Sequence, residues 1–171
     1  MRKRIIMVAV VITVILSTFT GCTNKEKVLT ADNITISGEL EKEAKYVSLK
    51  AANEEETEYQ TSIDYLYLFN ATYEIYDIDI LNKKEEEIQP SGRLDVQLKL
   101  SDKLKDATGD KYVVFGVNDH KLFRINSEVT DDTINFKIND IKKNDVKTYI
   151  ICKYDSDDEQ ASSMFEGMVA E

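Results

Sequence analysis

Cys22 and Cys152 are the only cysteines of this 171-residue chain, and His120 is its one histidine. Thiol, imidazole and metal chemistry therefore have few residues to draw on. His120 lies in "VNDHKLF", where Asn118 and Asp119 supply turn chemistry. It reads as a solvated hairpin residue, because neither a dyad nor a zinc site can be built on one imidazole. No G-x-S-x-G, P-loop or H-E-x-x-H pattern occurs. Three acidic clusters stand out: Glu54-Glu55-Glu56, Glu85-Glu86-Glu87 and the run Asp155-Ser156-Asp157-Asp158-Glu159. Calcium needs roughly six to eight oxygens converging on one point, and the last run lacks the glycine turn and final glutamate of an EF-hand loop. All three read as solvated loops. A glycosidase pair of carboxylates forms in space rather than in sequence, but Glu39, Asp77, Asp79 and Asp95 all fall on the outward parity of their strands. The expectation is a protein without catalytic residues, metal or cofactor. Tyr59, Tyr65, Tyr67, Tyr73 and Tyr76 crowd into one short stretch. They either cover a core or, facing outward together, form a platform for a sugar or a protein partner. Tyr59, Tyr65 and Tyr67 are the candidate binding residues.

The elements around Cys22 decide its chemistry. A basic patch, Arg2-Lys3-Arg4, precedes twelve uncharged residues from Ile5 to Leu16. A bilayer-spanning helix needs roughly 20 apolar residues, whereas a basic start, a short apolar run and a small-residue cleavage site describe an export signal. An uncleaved membrane helix from Ile5 to about Gly21 is the alternative. Phe19-Thr20-Gly21-Cys22 resembles the lipobox of bacterial lipoprotein signal peptides, with Phe19 where that family usually has leucine. The resemblance implies that Cys22 receives a diacylglyceryl group and becomes the new N-terminus, so Cys22 is the expected lipid attachment site. Cys152 then lacks a partner. In "TYIICKY" it shares strand parity with Ile150 and Tyr154, which points it into the core as a small hydrophobe.

Without residues 1–21 the chain keeps 150 residues, with 19 basic against 32 acidic, a formal charge of −13. Such a surface repels phosphate backbones and anionic headgroups, so no nucleic-acid partner is expected. Residues 22–32 are polar and short, a tether between lipid and fold.

From Asn33 onward apolar residues recur at every second position, as in half-buried strands. "NITISGEL", "YVSLKA", "EIYDIDI", "RLDVQLKL", "KYVVFGV", "KLFRI", "TINFKI" and "KTYIICKY" give eight strands. Strict alternation predicts antiparallel sheets, each with one wet face. Two such sheets bury their apolar faces against each other, a single β-sandwich of seven to eight strands over residues 33–154. The exception is "YQTSIDYLYLFN", residues 59–70, where the spacing favours a short crossover helix over a strand.

The strands from "YDIDIL" to "VKTYIICK", with "NITISGEL" before them, resemble an immunoglobulin-like module of Gram-positive cell-surface proteins. The similarity lies on Tyr76-Asp77-Ile78, on Ile88 through Leu100 with Pro90 and Gly92 at the corner, and on Tyr112 through Asp119. It implies a surface-exposed accessory or adhesive domain and carries no catalytic residues. Residues 155–171 open with four acids in five residues and read as a mobile acidic tail, the sandwich being complete by Tyr154. The functional expectation is a monomeric, non-enzymatic module, lipid-anchored to the outer face of the cell membrane and binding a protein or a glycan. An extracytoplasmic accessory or sensor subunit of a membrane complex is the alternative, followed by an envelope hydrolase with an unusual carboxylate or lysine site.

Overall fold

A computed structural model describes residues 27–66, 71–90, 92–105, 110–118, 121–138 and 146–167. The alternating segments form strands as the sequence leads one to expect. β1 (Lys27–Ala31), β2 (Ile34–Gly38), β5 (Leu94–Lys99), β9 (Thr133–Ile138) and β8 (Ser127–Thr130) make one sheet, here sheet A, in the order β1-β2-β5-β9-β8. β3 (Tyr46–Ala51), β4 (Thr72–Leu81), β10 (Thr148–Asp155), β6 (Asp110–Asn118) and β7 (Lys121–Ile125) make sheet B, in the order β3-β4-β10-β6-β7. Every pairing is antiparallel. The two sheets form a β-sandwich.

Its interior takes Ile34, Ile36, Leu94, Val96, Leu98, Ile134, Phe136 and Ile138 from sheet A, all nearly inaccessible, against Val47, Ile78, Ile80, Val114, Tyr149 and Ile151 from sheet B. The rings of Phe136 and Tyr149 meet at 5.8 Å between centroids, tilted by 42°. The Tyr149 hydroxyl donates to the Val146 carbonyl at 3.0 Å, which satisfies the one polar atom of that side chain. Gly38 closes β2 at φ +127°, and a β-carbon there would run into the Arg93 carbonyl. Only glycine takes that conformation without strain.

Ten strands, rather than seven or eight, occur among the described residues. The two extra ones have identifiable reasons. β1 lies inside the stretch read as a tether, where its inward apolar residues are Leu29, 7% exposed, and the small, partly buried Ala31. β8 is four residues long, with only Ser127 and Val129 turned inward. The order β2-β5-β9-β8 facing β7-β6-β10 follows strands A-B-E-D and C′-C-F of an immunoglobulin domain. The departure is at the neighbour of β10. That place, which strand G would fill from the end of the chain, is taken by β4, which comes before β5.

The expectation of one wet face per sheet holds for sheet A and fails for sheet B. Two helices, α1 (Thr57–Leu66) and α2 (Glu159–Gly167), cover the outer face of sheet B. Leu66 of α1 and Ala161 and Phe165 of α2 bury there against Ile75, Val113, Phe115, Val117, Ile150, Cys152 and Tyr154. The molecule is thus three layers, with sheet B in the middle. "IIC" in β10 and "VVF" in β6 carry apolar residues on both parities, the pattern of a strand covered on both faces. Cys152 is fully buried as anticipated, but beneath the helices rather than between the sheets. Burial pushes its thiol strongly upward, away from thiolate chemistry.

The reading of residues 155–171 as a mobile acidic tail is corrected for residues 155–167; residues 168–171 lie outside the described residues. The acidic run leads from the last residue of β10 to the first of α2. The Asp158 carboxylate accepts from the backbone N–H of Gln160 and of Ala161, both at 3.0 Å, and Asp155 accepts from Asp157 at 2.9 Å. Negative charge at a helix N-terminus caps free N–H groups and complements the helix dipole, so a dense acidic run here favours structure. At the other end, Arg124 donates to the carbonyls of Phe165 and Glu166 at 3.0 and 3.4 Å. The segment 59–70 is helical through Leu66, and residues 67–70 lie outside the described residues.

Candidate functional site

The acidic clusters have structural work. Glu54-Glu55-Glu56 leads into α1: the Asn53 side chain accepts from the N–H of Glu55 at 3.2 Å, and the Asn53 carbonyl accepts from Glu56 at 3.0 Å. Glu85-Glu86-Glu87 belongs to a turn organised by Asn82, whose side-chain oxygen accepts from the N–H of Lys84 and of Glu86. No group of three or more His, Cys, Asp or Glu residues among the described residues is arranged to hold a metal ion.

The tyrosines do not form a common outward platform among the described residues. Tyr59 of α1 and Tyr73 of β4 are half-buried and pack on the helix-covered core. Burial, followed by the neighbouring Glu54 and Tyr73, raises the Tyr59 phenol, and Lys103 sits over the Tyr73 ring, 5.6 Å from its centre. Tyr76 packs on the inter-sheet core, with its hydroxyl donating to Glu74. Tyr65 lies on α1 with only its backbone described; Tyr67, His120 and the whole lipobox, Phe19 through Cys22, lie outside the described residues. No described helix is long and apolar enough to cross a membrane.

Two features carry polar chemistry. The first is a pair of aspartates on the outer face of sheet B. Asp77 accepts a hydrogen bond from the Thr148 hydroxyl at 2.7 Å, and Asp79 accepts one from Lys50 Nζ at 2.8 Å. Burial raises the Asp77 carboxyl above the ordinary range; the Thr148 bond opposes this, while Glu56 and Asp79 add to it. An acid whose folded-state pKa is raised contributes stability below its unfolded pKa and loses it as pH rises through the folded value. Asp77→Asn keeps an acceptor for Thr148. It should therefore melt no lower than the parent at pH 7, with any advantage closing as pH falls towards about 4. Paired thermal melts across that range check the sign, and a variant weaker at pH 7 than at pH 4 relative to the parent would refute it.

The second feature is the outer face of sheet A, which no described helix covers. β5, β9 and β8 present Asp95, Gln97, Asn135, Lys137 and Glu128 there, in register as Asp95–Lys137, Gln97–Asn135 and Glu128–Asn135. With Asn126, and with the inward-turned Val96, Ser127 and Phe136 between them, they line a groove of about 600 Å³. Lys137 Nζ lies 3.3 Å and Arg93 Nη2 3.9 Å from the same Asp95 oxygen. That oxygen is shielded from solvent and has no hydrogen bond of good geometry, so the contact is an ion pair without a well-aligned bond. The floor of the groove is thus set with amides and mixed charges whose positions are fixed by the sheet. Compared with known proteins, the chain matches no family model, no curated protein and no solved structure. The outward residues of β5 and β9 were visible in the sequence as the polar half of the alternation. Nothing there marked them as a site, because which sheet stays uncovered depends on where the two helices dock.

Proposed function

We propose that the chain is a lipid-anchored, non-enzymatic surface module on the outer face of the cell membrane, and that it binds a glycan in the groove on sheet A. The observation that carries the reading is the asymmetry of the sandwich: helices cover the outer face of sheet B, while the outer face of sheet A is open and grooved among the described residues. Side-chain amides, carboxylates and an ammonium on a rigid sheet match the donor and acceptor pattern of a hydroxyl-rich ligand. A protein partner would favour an interface centre rich in aromatics and poor in charge, which this groove is not. The lipid anchor rests on the lipobox resemblance at Cys22, since two acyl chains on one residue suffice for stable attachment.

The test is binding to isolated cell-envelope glycan, by co-sedimentation, for the parent and for a Gln97→Ala/Asn135→Ala double variant. Loss of two paired amide contacts, each about 0.5–1.5 kcal/mol, should weaken binding roughly tenfold while leaving the melting temperature unchanged. Equal binding by both proteins would remove the groove from the reading. A parent that binds no glycan, yet photo-crosslinks a protein from a probe at Gln97, would replace the ligand class.

A further inference from the structure

The chain is strongly acidic, but its lysines are not evenly spread. Lys27 opens β1, and its Nζ donates to the carbonyls of Glu41 and Lys42 at 2.6 and 3.0 Å. That ties the beginning of the described chain to the loop before β3. The N–H of Lys45 bonds the Leu81 carbonyl at 2.7 Å, which brings the Asn82 turn alongside. Lys42, Lys45, Lys83 and Lys84, with Asn82, Glu43 and Glu86, line a groove of about 370 Å³. The lining sets four lysines against two glutamates in a chain of net charge −10, with Glu41, Glu85 and Glu87 next to it in sequence. One of the glutamates is engaged, since the Glu86 carboxylate accepts from Asn82 Nδ2 at 2.8 Å. The salt bridges among the described residues use Lys50, Arg93, Lys105, Lys111 and Lys137, and none uses a lysine of this groove. Next door, burial and then the Lys45 charge lower the Lys27 ammonium, while Glu43 and Glu41 oppose the shift.

We infer that this lysine groove is the face the domain lays on anionic phospholipid headgroups. The inference rests on reading Cys22 as the lipid anchor. Four residues separate Cys22 from Lys27, and the five steps from one to the other reach at most about 18 Å even when fully extended. The end of the sandwich that begins at Lys27 is therefore the end held against the bilayer, and it is the end that carries the groove. Charge attraction to headgroups acts over about one Debye length, ~8 Å at physiological salt, so only a membrane-proximal patch can use it. Ammonium groups on flexible stems suit phosphodiester headgroups as point charges. The net negative charge of the remaining surface then keeps the far end of the domain pointing away from the membrane.

The test is lysine footprinting on the acylated full chain, extracted from cell membranes and reconstituted into phosphatidylcholine vesicles with or without phosphatidylglycerol. Labelling by a water-soluble amine reagent should slow about fivefold at Lys42, Lys45, Lys83 and Lys84 on the anionic vesicles. Lys99, at the opposite end of sheet A, should label alike on both. Protection should vanish near 1 M salt, where the Debye length is about 3 Å. Equal labelling of the groove on the two vesicle types, with the protein still vesicle-bound, would overturn the groove assignment alone. Protection of the same lysines by inorganic phosphate in detergent, without vesicles, would make the groove a soluble-anion site and overturn the lipid assignment. A Cys22→Ser chain that still appears in mature form in the membrane fraction would instead overturn the anchor reading, and the inference with it.

Discussion

Phe165→Ala should destabilise the protein by about 3–5 kcal/mol, and deleting residues 156–171 should cost at least as much. Phe165 is 2% exposed and meets two rings of sheet B, Tyr154 at 4.9 Å and Phe115 at 5.6 Å between centroids. Its removal opens a void against Phe115, Val113 and Cys152, which a β-sheet is too rigid to close. It also uncovers apolar surface on the middle layer, where only Ala161 of the same helix is buried beside it. For a chain of this size each kcal/mol shifts the melting temperature by roughly 2–4 °C, so the variant should melt about 6–20 °C lower. Met164, one residue earlier and 42% exposed, is the control, and its alanine variant should melt within a degree or two of the parent. Calorimetry decides it: a Phe165→Ala protein as stable as Met164→Ala would mean that α2 does not belong to the core.

Leu98→Ala should cost on the order of 2–5 kcal/mol, whereas Gln97→Ala should barely change stability. Leu98 is 2% exposed and stands between Ile34 of β2 and Ile134 of β9 in the middle of sheet A. Gln97, its neighbour in sequence, points to the opposite face, beside Asn135. A one-residue slip of β5 would exchange the two environments, so the pair reports the register directly. Denaturant unfolding should show an unchanged slope with a lower midpoint for Leu98→Ala alone. Similar midpoints for both variants would mean the register is wrong. The Gln97 variant has a second use: a protein of parental stability that has lost glycan affinity separates the groove from the fold.

The two faces of sheet A differ in how they follow from the sequence. Leu94, Val96 and Leu98 against Asp95, Gln97 and Lys99 leave no choice, because a strand with that alternation can bury only one side. The antiparallel sandwich follows from several such strands, and so does the outward parity of Asp77, Asp95 and Glu39. β1 was hidden because Leu29 and the small Ala31, its two inward apolar residues, are too little period to recognise. Its pairing with β2 is stabilised by backbone bonds, which any residue type can make.

The acidic run before α2 shows how local composition can mislead. Four acids in five residues repel one another in an extended chain. Placed at a helix start, they meet N–H groups that have no other partner. Which situation applies depends on whether the following residues find an apolar surface, here the ring of Phe115 and the face of β10. Met164, Phe165 and Met168 recur at helical spacing, yet the spacing alone does not say that Phe165 is the residue that docks.

By itself, then, the sequence determined the class of elements, the register-defining alternation of sheet A and the burial of Cys152, and it favoured a helix over a strand at α1, because each rests on local periodicity or on the polarity of single side chains. It also carries the lipobox resemblance at Cys22. The tertiary structure alone decided that sheet B is a middle layer, that β4 takes the place beside β10, and that Lys42, Lys45, Lys83 and Lys84 share one groove. Each of these joins segments far apart in the chain. Which surfaces end up touching is set by the total apolar area that can be buried at once, a quantity that no short stretch of sequence contains.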